Sequence, residues 1–599
     1  MTTQTFLWHD YETFGAQPRR DRPAQFAAIR TDAELNEIGE PIMLYCQPAN
    51  DFLPDPQACL ITGITPQQCL QLGVPEHQFA ATIEAAFSEP GTIGVGYNTI
   101  RFDDEVTRFL FWRNLIDPYA REWKNHCGRW DILDVVRMTH ALRPEGMQWP
   151  KRDDGQTSFK LEHLSKANGL VHEAAHDALS DVRATIALAR LIREKQPKLF
   201  EFCLALHKKD RVASEMGMHL AAAERQPFLH VSGMFPAERG CLGVVWPLAT
   251  HPSNKNEILV WDCAYDPREL FSLDADTIRT RLFTRSDAMP EGMTRLPVKS
   301  VHLNKSPMLV GNLKTLSPAM AAQWGIDVDA AKVNAQLAAT ERQPFLHVSG
   351  MFPAERGCLG VVWPLATHPG NKNEILVWDC AYDPRELFTL DADTIRTRLF
   401  TRKDAMPEGM TRLPVKSVHL NKSPMLVGNL KTLSPAMAAQ WGIDVDAAKV
   451  NAQFAAAAPN MDAIWAEVFQ RPGASTSLDV DEDLYNGFVS NDDRRLLESL
   501  RRETPAKLAT ARPSFADERL QELLFRYRAR NFPQTLSEAE SLRWEQHRAA
   551  RLFDGDGGAR TIEMLFTEID TLSESVDERG EEILGELYDY VEMVAPMRD

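Results

Sequence analysis

Two carboxylates near the N-terminus have the spacing of a pair that acts on one ion or substrate. The segment Thr5–Thr13 starts like a strand and places Asp10 and Glu12 two residues apart. Residues i and i+2 of a strand point to the same face, so both carboxylates would share one side of a sheet. Like charges that are close together and partly buried resist ionisation, and a divalent cation between them relieves that cost. Carboxylate oxygens are hard ligands, so the pair predicts Mg²⁺ or Mn²⁺, although it is also typical of a solvated strand end.

A further acid, Asp103, lies between a predicted strand at Gly91–Val95 and a predicted helix at Asp104–Trp112. Near a helix N-terminus a carboxylate is stabilised by the free N–H groups and by the helix dipole. Taken alone, Asp103 is therefore either a helix cap or another metal ligand.

A third segment joins a histidine to an acid. Its apolar residues predict an amphipathic helix from Ala178 onward, with Asp181 in the first turn and His176 just before it. Because an imidazole titrates near neutral pH, His176 is a candidate general base beside a metal-binding Asp181.

These three segments together resemble the DEDDh pattern of exonucleases in the ribonuclease-H-like superfamily. Longer stretches of the chain resemble the bacterial exonuclease I family, whose members have an exonuclease domain, an SH3-like domain and a helical C-terminal domain. The stretches 60–65 and 161–170 also resemble the DEDDh exonucleases, and those that carry the resemblance to exonuclease I are 6–15, 21–31, 101–108, 230–235 and 527–533.

The resemblance implies an enzyme of DNA repair and recombination that releases 5′-mononucleotides from the 3′ end of single-stranded DNA. Two Mg²⁺ ions, or Mn²⁺ as a substitute, would clamp the scissile phosphate. Carried over to this chain, Asp10, Glu12 and Asp181 would hold one ion, and Asp10 would share the second with Asp103 through water. His176 would deprotonate the attacking water.

Single-strand recognition needs aromatic stacking and a basic track along the strand. Within the motif segments, the residues that could contact the terminal nucleotides, or serve only in packing, are Tyr11, Thr13, Asn98, Phe102 and Lys160. Arginines of the C-terminal region could line the strand path or form a solvated basic face; they are Arg519, Arg526, Arg528, Arg530, Arg543 and Arg548. In the family, such basic surface also docks the acidic C-terminal tail of single-stranded DNA-binding protein, which is a possible partner here.

The elements that position these residues belong to a chain of 599 residues, which is too long for one hydrophobic core. The content of 44% hydrophobic and 25% charged residues is that of a folded globular protein. The net charge of −18 includes −10 from residues 551–599, which hold 14 acidic and 4 basic residues, so it does not exclude a polyanionic partner.

The sequence predicts neither a membrane span, nor a secretory signal, nor a disulfide framework. No apolar run approaches the roughly 20 residues needed to cross a bilayer, and the N-terminus lacks the pattern of a secretory signal. Nine cysteines without a C-x-x-C pair argue against a disulfide framework or a thiolate zinc site. We expect a cytoplasmic protein without membrane association, and a monomer.

An internal repeat of 117 residues dominates the middle of the chain. Residues 224–340 and 341–457 are identical except for five pairs, which are Ser253/Gly370, Ser272/Thr389, Ser286/Lys403, Leu337/Phe454 and Thr340/Ala457. In each copy, segments rich in Val, Ile, Leu and aromatic residues predict strands, which in the first copy are 227–235, 241–250, 256–263 and 297–310. We expect both copies to fold and one to be displaced from the exonuclease domain, with weaker processivity as a result.

The predicted fold class is an α/β ribonuclease-H-like exonuclease domain, followed by duplicated small β-rich SH3-like modules and an all-α C-terminal domain. The expected boundaries are 1–200 for the exonuclease domain, 201–340 and 341–457 for the two SH3-like copies, and 458–599 for the helical domain. Three alternatives remain open at this point: a DEDDh exoribonuclease, a non-catalytic single-stranded DNA-binding scaffold, and a proofreading subunit.

Overall fold

The computed structural model describes residues 3–171, 177–220, 225–267, 269–270, 273–338 and 478–596. It also describes 345–448 apart from 350, 357, 369–370, 386–389, 391, 402–404, 420–424, 428–432 and 441. His176 lies outside the described residues. Among the helices in these ranges, none combines the length and the apolar character needed to span a bilayer. All nine cysteines lie in the described part, and none forms a disulfide.

A five-stranded mixed sheet forms the centre of the first domain. Its order is β3–β2–β1–β4–β5, with β1 antiparallel to β2 and parallel to β4. The strands are β1 (Thr5–Thr13), β2 (Pro23–Thr31), β3 (Ile42–Tyr45), β4 (Thr92–Gly96) and β5 (Gly128–Asp131). The predicted strand at Thr5–Thr13 is therefore confirmed, and it lies in the middle of the sheet.

Nine helices are described around this sheet. They are α1 (Pro56–Thr62), α2 (Pro66–Leu72), α3 (Glu76–Ser88), α4 (Asp103–Arg113), α5 (Ile132–Leu142), α6 (Leu161–Ala167), α7 (Ala178–Lys195), α8 (Pro197–Ala205) and α9 (Lys209–Glu215). Helix α7 packs across β1 and β2. Its apolar stripe, including Val182 and Ile186, enters the same core as Phe6 and Trp8 of β1. The other face of the sheet packs through Leu7 against α3 and α4.

The first repeat copy forms an antiparallel sheet in the order β10–β6–β7–β8–β9. Its elements are β6 (Phe228–Val231), β7 (Leu242–His251), β8 (Asn254–Asp262), α10 (Ala275–Phe283), β9 (Val298–His302), β10 (Met308–Val310), α11 (Pro318–Gln323) and α12 (Val328–Ala338). The second copy repeats this sheet in the order β14–β13–β12–β11–β15. Its elements are β11 (Phe345–Val348), β12 (Leu359–His368), β13 (Asn371–Asp379), α13 (Ala392–Phe400), β14 (Val415–His419), β15 (Met425–Val427) and α14 (Pro435–Gln440).

The prediction of one strand over Pro297–Val310 is wrong, because the segment forms β9 and β10 on opposite edges of the sheet. Between them Ser306 adopts a left-handed backbone conformation with φ of +46°. The Ser306 hydroxyl donates to the carbonyl of Arg129 at 2.7 Å, and the Arg129 guanidinium donates to the carbonyl of Asn304 at 2.8 Å. The chain turns here because this loop docks on the exonuclease domain.

The C-terminal domain is helical, as predicted. Its helices are α15 (Asn491–Arg501), α16 (Pro505–Thr510), α17 (Arg519–Asn531), α18 (Glu538–Asp554), α19 (Ile562–Ser573) and α20 (Glu578–Val594). A capping box of Ser537 and Glu540 starts α18. Two apolar clusters join the domain to the exonuclease domain, one around Trp112 and the other around Phe52.

A buried network of ion pairs also joins these two domains. Arg530 bridges Asp51 of the exonuclease domain and Asp481, and Arg22 also binds Asp481, at 3.0 Å. Asp479 accepts from Arg526 at 2.7 Å and from a second arginine, Arg551, at 2.8 Å. The pairs Arg530–Asp51 and Arg22–Asp481 cross between the two domains and hold them together, whereas the pairs of Asp479 lie within the C-terminal domain.

The prediction of a basic strand path in the C-terminal domain is therefore wrong for most of its arginines. Arg526, Arg528 and Arg548 are buried, and Arg530 is buried in the network just described. Arg519 binds Asp517, and Arg543, the most exposed of the six, pairs with Glu522. The local spacing of arginines on α17 is the same for a solvated face and for an interface, so the sequence could not separate the two.

Candidate active site

Two elements carry a buried apolar stripe that ends in acids, and both stripes end on the same side of the molecule. On β1, Phe6 and Trp8 fill the core, and Asp10 and Glu12 follow on the same face. On α7, Asp181 occupies the first turn, next to the buried Val182 of the apolar stripe. Because α7 packs across β1, the acids of the strand and of the helix meet.

Asp10, Glu12 and Asp181 form a cluster in which one carboxylate oxygen from each lies within 4.8 Å of the others. Asp10 and Asp181 are partly buried, and Glu12 is buried. Three convergent carboxylates supply the oxygen donors that a hard divalent cation prefers. Within the described residues no other group of this kind is found.

Asp103 stands beside this cluster and is the first residue of α4. The Asp103 carboxylate accepts a hydrogen bond from the backbone N–H of Tyr11 at 3.1 Å. Tyr11 lies between Asp10 and Glu12 on β1, so this bond holds Asp103 beside the strand that carries both acids. The helix cap position falls on Phe102 and has no side-chain hydrogen bond. Of the two roles left open by the sequence, the structure does not give Asp103 that of the cap.

The electrostatics of the cluster favour a cation. Burial, and then the neighbouring charges of Asp181 and Asp103, raise the pKa of Glu12 to about 8. Burial raises the pKa of Asp103 to about 8 and that of Asp10 well above its ordinary range, with Asp103 and Glu12 adding to the effect on Asp10. Full ionisation near neutral pH therefore requires a positive charge among these groups, and the donor set fits a metal ion.

Two further acids, which the sequence did not single out, order the segments around the acidic cluster. Asp177 caps α7 by accepting the N–H of Ser180 at 3.0 Å. Asp131 accepts the N–H of Asn98 at 2.9 Å and that of Ile100 at 3.1 Å, and so orders the loop that leads to α4. In both cases an acid directly precedes a helix, which was the available signal.

The adjacent acids Asp103 and Asp104 have different roles in the fold. Asp104 is buried between Arg121 at 2.5 Å and Arg129 at 2.9 Å. Burial disfavours its charge, but the two arginines hold the pKa of Asp104 well below its ordinary value. Asp104 therefore anchors α4, which leaves Asp103 to face the acidic cluster.

The five residues considered for nucleotide contact lie in different settings. The ring of Tyr11 is buried, 4.8 Å from that of Phe26, so its side chain packs in the core and does not stack on a base. Thr13 is buried and donates to the Gly15 carbonyl at 2.6 Å. Asn98 (φ +66°) and Phe102 are half-buried in the loop before α4, and Lys160 is exposed, 3.6 Å from Glu162.

The family comparisons agree with this division of the chain. Residues 7–189 match the family described as Exonuclease, and 478–594 match the Exonuclease I C-terminal domain. The Exonuclease I SH3-like domain matches twice, at 207–340 and 329–471. The fold and the acidic site thus define the class of protein as a nuclease, a hydrolase with an exonuclease domain.

Individual relatives give the same result. The chain is 39% identical over 544 residues to exodeoxyribonuclease I of Escherichia coli K12, with 91% of this chain and 89% of the relative covered. A crystal structure of E. coli exonuclease I with a dA16 oligonucleotide aligns at a TM-score of 0.71 and 37% identity, covering 99% of this chain and all of that one. A structure of SSB/exonuclease I with the inhibitor CFAM aligns at 0.71 and 35%, with the same coverage. The chain belongs to the exonuclease I family.

Proposed function

We propose that this chain is a metal-dependent 3′→5′ exodeoxyribonuclease that degrades single-stranded DNA to 5′-mononucleotides, in DNA repair and recombination. The observation that carries the proposal is the convergence of Asp10, Glu12 and Asp181 within 4.8 Å, in an exonuclease domain of the exonuclease I family. The dA16 complex of the E. coli relative supports single-stranded DNA as the substrate.

Each acidic residue has a distinct task in this proposal. Asp10, Glu12 and Asp181 would hold one Mg²⁺, and Asp10 and Asp103 would hold a second, with Mn²⁺ as a substitute. The metal supplies charge neutralisation at the scissile phosphate and a more acidic water. The hydrogen bond from the Tyr11 N–H keeps the Asp103 carboxylate oriented toward β1. His176 would accept the proton of the attacking water.

The experiment that tests the proposal is degradation of a 3′-labelled and a 5′-labelled single strand with Mg²⁺, with Mn²⁺ and with EDTA. We expect the 3′ label to appear at once as a mononucleotide and the 5′-labelled strand to shorten stepwise. EDTA should stop degradation of both strands. Release of the 5′ label first would contradict the polarity. Equal degradation in EDTA would contradict the metal dependence.

Substitutions test whether hydrolysis depends on the acidic cluster and on His176. Asp10→Asn should lower the hydrolysis rate by at least about 10³-fold at any Mg²⁺ concentration, because it removes a direct ligand. The matched control is Asp154→Asn, which makes the same change at an exposed loop residue paired with Arg152. His176→Ala should retain DNA and metal binding but lose most turnover. Near-normal rates in either active-site variant would contradict its assigned role.

The same assay separates the alternatives. Faster degradation of an RNA strand than of the DNA strand of the same sequence would favour an exoribonuclease, and binding without hydrolysis would favour a scaffold. Extension of the proposal to partners rests on the SSB/exonuclease I complex of the relative. On that basis we include the C-terminal tail of single-stranded DNA-binding protein as a partner, testable by titrating a labelled tail peptide.

We also propose the boundaries 1–200, 201–340, 341–457 and 458–599 for the four units, a monomeric state and a cytoplasmic location. Sedimentation equilibrium of the 599-residue chain tests the monomeric state, because a dimer would give twice the chain mass of 67.5 kDa.

A further inference from the structure

The two repeat copies have the same fold but different surroundings. Copy one, the repeat unit 224–340, packs on α5 of the exonuclease domain through β6 and β10. It also packs through β10 on α9, the helix that precedes the repeat. Trp324 of copy one donates its ring N–H to the carbonyl of Ala141 at 3.0 Å, and the N–H of Gly311 donates to Glu215 at 2.9 Å. The core of copy one is continuous with that of the exonuclease domain, whereas the described residues of copy two form separate clusters.

Side-chain exposure shows which surface of copy two lacks this cover. Met308 of copy one is 1% exposed, and its counterpart Met425 is 68% exposed. Three pairs show this difference, and they are Val231/Val348 at 1% and 42%, Met308/Met425 at 1% and 68%, and Leu309/Leu426 at 0% and 40%. We call Val348, Met425 and Leu426 the free face.

The interior of copy two is the same as that of copy one, so the free face is not the result of a different fold. Trp261 and its counterpart Trp378 are both 1% exposed. His230 binds the carbonyl of Met308 at 3.0 Å, and the counterpart His347 binds that of Met425 at 3.2 Å. Burial differs where copy one meets α5 and α9.

The five positions that differ between the copies are not among the interface residues identified in copy one. The copy-one residues that contact the exonuclease domain or α9 include Asn304, Ser306, Met308, Gly311 and Trp324. The same amino acids stand 117 positions later in copy two. The α5–α9 surface would therefore gain the same contacts from either copy.

We infer that the free face of copy two is a second docking surface for the α5–α9 surface of its own chain, and that the two copies exchange on it. In the exchanged state copy two covers α5 and α9, and copy one is looped out between Glu215 and Phe345. Such a loop is feasible because both ends of copy one lie beside β7, where β6 pairs and α12 packs. With the same contacts in both states, the populations depend on the connecting segments and not on the interface.

Cross-linking of the full-length chain tests the exchange, and a natural difference between the copies identifies the partner. Lys209 of α9 donates to Asn256 at 2.5 Å, beside Lys255. An amine-reactive cross-linker should join Lys209 to Lys255 in the first state and to Lys372 in the exchanged state. The linked peptides differ in mass because Ser253 of copy one is Gly370 in copy two.

We expect both links in the wild-type chain, with yields within about tenfold of each other. Met308→Asp should shift the yield toward Lys372, because a carboxylate in the covered position opposes docking of copy one. The matched variant Met425→Asp makes the same change at an exposed residue and should abolish the Lys372 link alone. The double variant should lose both links.

Two results would overturn the inference. One is the absence of the Lys209–Lys372 link in both the wild-type chain and the Met308→Asp variant. The other is a Lys372 link found only in cross-linked dimers on a denaturing gel, with a yield that rises with protein concentration. That result would make the exonuclease domain of a second chain the occupant of the free face. The wild-type measurement does not depend on the folding of any variant.

Discussion

Arg530 offers a quantitative test of how the C-terminal domain is held. Its guanidinium lies 2.7 Å from Asp51 and also binds Asp481, and all three side chains are 0–3% exposed. Arg530→Met keeps much of the side-chain volume but leaves two buried carboxylates without their shared partner. Removing one member of a buried ion pair costs about 3–5 kcal/mol, so we expect the free energy of unfolding to fall by about that amount.

The pH dependence gives this prediction a second signature. Burial alone would raise the pKa of Asp51 and Asp481, but Arg530 and its neighbours hold both pKa values well below the ordinary range. In the wild-type chain, the stability from these charges is present above about pH 4 and is lost as the pH falls further. In Arg530→Met, Asp51 loses its guanidinium partner while Asp481 keeps Arg22, so protonation of the buried Asp51 favours the folded state. The difference between the two proteins should therefore narrow in acid.

Urea unfolding followed by circular dichroism at pH 7 and pH 5 measures both effects. The control is Arg502→Met, which removes a guanidinium that is 72% exposed and pairs with Glu498 one turn away. Surface pairs of this kind contribute about 0.3–0.5 kcal/mol. A loss below about 1 kcal/mol in Arg530→Met, or a difference from the wild type that widens in acid, would refute the reasoning.

Three further outcomes are expected. In Gly96→Ala the new Cβ would lie 2.1 Å from Thr99 and 2.6 Å from the carbonyl of His9, so the loop before α4 must move; we expect a hydrolysis rate at least tenfold lower, and a normal rate would contradict the packing. Burial lowers the pKa of both His9 and His140 to about 4, so acid favours unfolding between pH 6.5 and 4, by up to about 3 kcal/mol for each; a flat stability profile over that range would refute this. Deletion of 341–457 should leave hydrolysis of a short oligonucleotide within about twofold of wild type, because copy one remains docked, and a large loss would show that copy two is needed.

Much of the catalytic site follows from local sequence. The two-residue spacing of Asp10 and Glu12 gives a shared face in any strand, and the stripe that follows Asp181 defines a helix. Both elements carry apolar residues on the same face as their acids, so burial of the stripes brings the acids to a common edge. The resemblance to the exonuclease I family added Asp103 to this set, and the structure places it beside β1.

Local sequence could not decide the features that depend on contacts between distant segments. Asp103 and Asp104 are adjacent acids, and only the positions of Arg121 and Arg129 in the fold turn Asp104 into an ion pair. Arg530 lies 479 residues from Asp51, and its periodic spacing on α17 is equally that of a solvated helix.

The repeat makes the same limit plain. The two copies are evident from the amino-acid sequence, and near-identical sequences predict the same fold. The matching strand orders of the two sheets confirm this prediction. The sequence of a copy does not determine which copy docks on the exonuclease domain. The docking energy depends on the pair of surfaces that touch and on the length of chain between them. The tertiary structure places copy one on α5 and α9, and leaves Met425 exposed where Met308 is covered.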